Sequence, residues 1–292
     1  MIGIIGGTSL GQALGALGGR ATTVDTPYGQ PSAPISVASV EGVEVALLPR
    51  HGIGHTTPPS AVNYRANLWA LKKLGVTRVL ATTAVGSLRE EIHPGDLVLP
   101  DQLIDRTHRR VGTFFDDVAV HVELSHPFCD RLRGLLQQAS ATLQGTTVHP
   151  RGTYLVMEGP AFSTRAESDL HRAQGAHLIG MTAQPEARLA REAELCYAAV
   201  SLPTDYDCWR PHDGGREALL RELRSNMARA TAAALSLVRA ALPSIARLRE
   251  EPCSCQRSLD DALFTDPEAI APASLTRHEL LLARRLSRGG AA

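Results

Sequence analysis

Val76-Thr77-Arg78-Val79-Leu80-Ala81-Thr82-Thr83-Ala84-Val85-Gly86-Ser87 decides the fold. Its first five residues form an apolar, β-branched run, and small and hydroxyl residues follow. That is the signature of a buried strand emptying into a polar turn. In open α/β sheets, ligands gather at the carboxyl ends of strands, where main-chain N–H groups and short side chains meet them. Three further turns open after apolar runs: Gly6-Gly7-Thr8-Ser9, Pro49-Arg50-His51-Gly52 and Met181-Thr182. Together the turns offer Thr8, Arg50, His51, Thr83 and Thr182. Hydroxyls, one guanidinium and one imidazole suit a bound oxyanion, most naturally phosphate, because arginine is a rigid bidentate fork and hydroxyls donate without charge.

Working outward, apolar runs at 2–5, 43–48, 97–99, 152–157, 177–181 and 197–202 read as strands. Helical periodicity covers 61–74, with Ser60 as N-cap and Gly75 as its stop, and also 127–143 and 165–172. Further helices are predicted at 186–194, with Pro185 in the first turn, and at 217–242, closed by Pro243. The strand at 197–202 runs into Thr204-Asp205-Tyr206-Asp207. Two carboxylates at i and i+2 point the same way if the chain there is extended. Strands alternating with helices predict a single α/β domain with a central mixed sheet flanked by helices. Residues 1–245 carry that pattern, and 246–292 read as a C-terminal extension packing on the same domain or on a neighbouring subunit.

Composition narrows the function. Lys+Arg 30 against Asp+Glu 30 gives no net charge, so general nucleic-acid binding is excluded and phosphate recognition must be local. No apolar run approaches a membrane span and the first residues lack a signal-peptide pattern, so a cytoplasmic enzyme is expected. Gly3, Gly6, Gly7 and Gly11 do not form G-x-G-x-x-G and no Walker lysine follows, which argues against a dinucleotide fold. Five scattered cysteines are not a secreted disulfide framework, and no pair stands at finger-like spacing, so no metal is expected. Cys253-Ser254-Cys255 is either a small disulfide or two thiols, and a cytosolic setting favours thiols.

Several runs resemble the methylthioadenosine phosphorylases, a family within the trimeric purine nucleoside phosphorylases. They include Ile2-Gly3-Ile4-Ile5-Gly6-Gly7-Thr8, Arg50-His51-Gly52, Ala84-Val85-Gly86-Ser87-Leu88-Arg89-Glu90-Glu91-Ile92 and Met157-Glu158-Gly159-Pro160-Ala161-Phe162-Ser163. Pro185-Glu186 and Thr204-Asp205-Tyr206-Asp207-Cys208-Trp209 extend the match, which reaches from residue 2 to about 240. The resemblance implies the nucleoside phosphorylase fold and phosphorolysis of 5′-methylthioadenosine to adenine and 5-methylthioribose 1-phosphate. Phosphate is a co-substrate there, and no cofactor is implied.

The same resemblance implies phosphate binding by Thr8, Arg50, His51, Thr83, Thr182 and the backbone N–H of Ala84. Asp205 would hydrogen-bond or protonate N7 of the base, and Asp207 would accept from the exocyclic amine or hold Asp205 in place. Met181 would lie at the ribose, Phe162 near the base or sugar face, and His55 and His121 near the 5′ substituent. Relatives that prefer 6-oxopurines carry an amide where this chain has Asp205. A carboxylate facing O6 would set two acceptors together, so adenine is expected and a 6-oxopurine nucleoside is the alternative. Gly180 departs from the asparagine of animal members. A homotrimer, or a hexamer, and some Cys-x-Cys disulfides are also implied by the family.

Overall fold

The computed structural model describes residues 1–7, 18–211, 214–248 and 252–286. Thr8 lies outside the described residues. The strands, in chain order, are β1 (Ile2–Gly6), β2 (Arg20–Thr22), β3 (Ile35–Val40), β4 (Val43–Pro49), β5 (Arg78–Ser87), β6 (Leu97–Val98), β7 (Gln102–Arg106), β8 (Val148–His149), β9 (Thr153–Met157), β10 (Leu178–Gly180) and β11 (Cys196–Asp205). The helices are α1 (Tyr64–Lys73), α2 (Asp130–Ser140), α3 (Arg165–Ala173), α4 (Ala183–Glu192), α5 (Gly215–Arg247) and α6 (Pro272–Leu286). All eleven strands join one mixed sheet whose main path is β2-β3-β4-β1-β5-β10-β9-β7, with β11 branching from β5, β6 pairing β11 and β8 pairing β6.

The opening stretch does organise this sheet. β5 runs ten residues, further than its apolar start suggests, to Ser87. Along one edge it pairs β11 in parallel from Cys196↔Arg78 to Asp205↔Gly86. On the other edge β1 pairs with its first half, Ile2↔Arg78 to Ile5↔Ala81, and β10 takes over antiparallel at Gly86 and Ser87. A strand paired on both edges and covered on both faces needs continuous apolar content, and residues 78–83 are all buried. Packed on one face are Leu68, Leu71, Phe114 and Ala190, from α1, the segment between β7 and α2, and α4; on the other are Leu132, Leu136, Ala234 and Leu242, from α2 and α5.

Local chemistry moves some boundaries from their expected places. α1 starts at Tyr64, because Asn63 rather than Ser60 supplies the cap: its Oδ1 accepts from the N–H of Ala66 at 3.1 Å. Pro59–Ala61 forms a separate 3₁₀ turn. α5 continues through Pro243 to Arg247, since Leu242 and Ile245 are fully buried and this packing outweighs the hydrogen bond that proline removes. The helix expected at 127–143 is shorter, with Cys129 at its N-cap. β2, β3, β7 and β8 lie outside the apolar runs that read as strands, and β2 is largely exposed.

From the segment after α5, Leu259, Ala262, Ile270, Leu281 and Leu282 enter the same core as Tyr64, Phe114 and Tyr197. His278 Nε2 stands 2.9 Å from Asp117, and Arg284 Nε donates to Glu194 at 2.8 Å. No helix among the described residues is long and apolar enough to cross a membrane.

Candidate active site

The carboxyl ends of β1 and β4 meet the middle of β5. The N–H of Gly7 donates to Thr82 Oγ1 at 3.1 Å, and the Thr82 carbonyl accepts from Arg50 Nη1 at 2.8 Å. Next to them Thr83 Oγ1 lies 3.1 Å from Ser201 Oγ of β11. Ala84 is exposed between buried Thr83 and buried Val85, so the central strand meets solvent there. Thr182 occupies the position before α4, with no side-chain capping bond. Gln184 breaks the start of that helix at φ −115° and ψ 139°, so its regular part opens at Pro185, as the sequence predicts.

Tyr154 of β9 joins this group. Its hydroxyl is buried beside Thr83 and Thr182, yet forms no well-aligned hydrogen bond among the described residues. A buried hydroxyl without a partner is costly, and a polar ligand at this point would supply one. Tyr154 also accounts for Gly180: a Cβ at that position would lie 2.1 Å from the tyrosine oxygen. The asparagine of animal members therefore cannot be accommodated beside this tyrosine.

Arg50 corrects one expectation. Its guanidinium is buried, and its bidentate edge faces Glu186, with Nε at 2.8 Å and Nη2 at 2.9 Å from the carboxylate oxygens. Tyr197 donates to the same carboxylate at 2.8 Å. The fork read from the sequence as an anion clamp is thus filled from within, and these bonds leave one hydrogen on each Nη free to meet a ligand. His51 follows it. Burial, and then the neighbouring Arg50 charge, push its imidazole down to about 4, so the ring is neutral near pH 7. With Nδ1 2.9 Å from the Thr57 carbonyl, Nδ1 carries the proton and Nε2 is an acceptor. The His55 ring stacks on it with centroids 4.3 Å apart.

At the far end of β5 stand the two carboxylates. They converge, but not by extended alternation. Asp205 ends β11, whereas Tyr206 bends and Asp207 sits at φ +52°, in a left-handed conformation that aspartate tolerates better than most residues. The N–H of Asp207 donates to Asp205 Oδ1 at 2.7 Å, and Thr204 Oγ1 donates to Oδ2 at 2.7 Å. Burial outweighs these bonds and raises the Asp205 carboxyl above its ordinary range. Gly86 lies directly beneath: a Cβ there would come within 3.2 Å of both Asp205 Oδ1 and Asp207 Cβ. Ser168 of α3 donates to Asp207 Oδ2 at 2.6 Å. Trp209 donates to the Ser87 carbonyl at 2.8 Å, and the Arg172 guanidinium lies 3.7 Å from its ring centroid, closing the turn.

Met181 lies between the two groups. Its carbonyl accepts from Arg110, whose buried guanidinium also reaches the Gln184 carbonyl at 2.7 Å and the Glu158 carbonyl at 2.6 Å. Arg110 thereby ties the end of β9 to the turn carrying Thr182. Arg110, Glu186, Tyr154 and Tyr197 were not found from the sequence. Their only signal there was charge or polarity inside otherwise apolar or loop segments.

Phe162 and His121 stand apart from these groups. Phe162 is 85% exposed, so within a single chain it does not cover a base or sugar. His121 faces Phe264, at 5.0 Å between centroids, and its N–H donates to the Ala262 carbonyl at 2.9 Å. Among the described residues no hydrogen bond or ring contact joins either of them to these groups.

Residues 1–243 match the family model of the phosphorylase superfamily. A protein of Geobacter sulfurreducens named S-methyl-5′-thioadenosine phosphorylase is 46% identical over 286 residues, covering 97% of this chain and 98% of its own length. Its namesake from Cereibacter sphaeroides is 48% identical, with 98% of each chain covered. A crystal structure of methylthioadenosine phosphorylase from an Antarctic soil metagenomic library superposes with a TM-score of 0.88 at 42% identity, over 96% of this chain and 98% of that one. The Schistosoma mansoni methylthioadenosine phosphorylase in complex with adenine gives 0.81 at 35% identity, over 90% and 98%. With near-complete coverage at these identities, the chain belongs to the phosphorylase superfamily and, within it, to the methylthioadenosine phosphorylases.

Proposed function

We propose that this protein is a pentosyltransferase that cleaves S-methyl-5′-thioadenosine with phosphate, in purine and methionine salvage. One observation carries the site: Asp205, its carboxyl raised by burial, stands on the same strand pair as Thr83, with Gly86 opposite. In the reaction the bond between the base nitrogen and C1′ breaks, and a phosphate oxygen bonds to C1′. A proton passes to the departing adenine. The transition state is an oxocarbenium-like sugar, so an anion held beneath it and a donor at the base lower the barrier from two sides.

Phosphate is held by Thr83, Thr182 and the N–H of Ala84, with Arg50 and His51 at the edge; Thr8, also assigned to phosphate, lies outside the described residues. Neutral His51 offers Nε2 to the proton of hydrogen phosphate. Asp205 gives a proton to N7 as negative charge develops on the base, a role that the upward shift of its buried carboxyl favours. Asp207, fixed by Ser168, accepts from the exocyclic amine. Met181 lies along the ribose, and His55 faces the 5′ group. Phe162 and His121, exposed in one chain, are completed by neighbouring subunits in a homotrimer or hexamer. Substrates are a small nucleoside and phosphate alone, without a cofactor for the chemistry, in the cytoplasm. Residues 1–245 form the phosphorylase domain, and 246–292 an extension seated on it.

The test is phosphate-dependent base release from methylthioadenosine, adenosine, methylthioinosine and inosine side by side. Adenine release from methylthioadenosine that vanishes without phosphate is expected. Predominant hypoxanthine release would overturn the role given to Asp205.

A further inference from the structure

Four of the five cysteines come from three separate segments: Cys129 before α2, Cys196 at the start of β11, and Cys253 and Cys255 in the segment after α5. No spacing in the sequence connects them. The fold brings all four together, buried, with every sulfur within 4.8 Å of the others and Cys129 Sγ 3.8 Å from Cys253 Sγ. None of these residues is disulfide-bonded. Cysteines acting as small hydrophobes need no mutual contact, and four converging on one point is a donor set. Four thiolates held about 2.3 Å from a tetrahedral zinc ion stand roughly 3.8 Å apart along each edge, the separation of Cys129 and Cys253.

We propose that Cys129, Cys196, Cys253 and Cys255 bind one structural Zn²⁺ ion that fastens the C-terminal segment to the sheet. Binding exchanges four thiol protons for the metal, leaving a tetrathiolate of net charge minus two. The surroundings meet that charge with peptide donors: the backbone N–H of Leu132 faces Cys129, and that of Cys255 faces Cys253. Cys129 is also the N-cap of α2, where the helix dipole favours a thiolate. All four positions are supplied by protein, so the ion is closed off from substrate and its role is structural.

What the ion would hold is clear from the next residues of the segment. Leu259 and Ala262 follow into the core, and the Phe264 N–H donates to the Ala119 carbonyl at 2.9 Å. His121 in turn donates to Ala262, and Ala119 to Thr265 Oγ1 at 2.7 Å. The loop carrying His121 is therefore positioned by a segment that the metal anchors.

The full chain, purified without reductant or chelator and with air excluded, should contain one zinc ion per chain by elemental mass spectrometry. Denatured with chelator but without reductant, it should show all five cysteines as free thiols. The double substitution Cys253→Ser, Cys255→Ser should abolish zinc binding and lower the melting temperature. Chelator should lower the melting temperature of the natural protein but not that of the variant. Substoichiometric metal with five free thiols overturns the proposal. So does loss of two or four thiols with a matching mass decrease, which would mark disulfides instead. Neither measurement depends on the reaction catalysed.

Discussion

Arg50 and Glu186, 136 residues apart in sequence, form a bidentate ion pair with both side chains 1% exposed. Removing one partner of a buried pair leaves the other charge unsolvated, at a cost of about 3–5 kcal/mol. Glu186→Ala should therefore lower the stability of the ligand-free protein by that amount, measured by chemical denaturation. If the protein lost phosphate affinity without losing stability, the pair would be part of the anion site and not a brace behind it.

Asp205→Asn keeps the shape of the base site and removes the transferable proton. The rate of adenine release from methylthioadenosine should fall by about 10²-fold, mostly in kcat, since general acid catalysis contributes on that order. The same substitution places an N–H donor where O6 of a 6-oxopurine would sit, so the relative rate with methylthioinosine should rise. Steady-state kinetics with both nucleosides measures this.

Ser168 touches no substrate in this scheme and acts on Asp207 through one hydrogen bond. Ser168→Ala should cost about 1 kcal/mol of transition-state binding for 6-aminopurine substrates, a roughly fivefold loss in kcat/KM. A 6-oxopurine substrate, which offers Asp207 no amine, should be much less affected. Equal losses on both would assign Ser168 to general folding.

Glu192 is buried, accepts from the Phe114 N–H at 2.8 Å, and has its carboxyl raised by burial from 4.5 to about 7. The unfolded chain ionises first, so stability is full below about pH 4.5 and is lost as pH rises towards 7. His51 acts oppositely: its depressed value of about 4 means that stability is lost as pH falls below 6.5. Glu192→Gln keeps an acceptor for Phe114 and removes only the first effect. Relative to the natural protein it should gain on the order of 3 kcal/mol between pH 4.5 and 7, by denaturation at a series of pH values.

The sequence disclosed the strand ends and the residue types gathered there, because apolar runs and the hydroxyl turns after them are local signals. It disclosed Asp205 and Asp207 but not how they meet, since the left-handed backbone at Asp207 is imposed by the turn into Trp209 and its bond to Ser87. Arg50 stands at the end of β4 as the sequence predicts, yet its partner was invisible: Glu186 comes from α4, and only the folded sheet sets it against the guanidinium. Tyr154 looked like one more strand apolar residue, and its hydroxyl acquires meaning only beside Thr83, Thr182 and Gly180. The four cysteines were dismissed as scattered for the same reason, their proximity being a property of topology and not of spacing.

β5 works as a ruler. Thr83 and Gly86 lie three residues apart on it, roughly 10 Å at strand rise, and β11 runs alongside over the same stretch. β11 holds one edge of this stretch and β10 closes the other from Gly86 onward, so in the proposed scheme the gap between anion and base is set by strand geometry and not by a loop. In that scheme nucleosides with a longer or shorter reach would be refused by dimension before any side chain contacts them. New substrate preferences in this scaffold should accordingly arise by exchanging side chains at the two ends of the rod, leaving the distance between them unchanged.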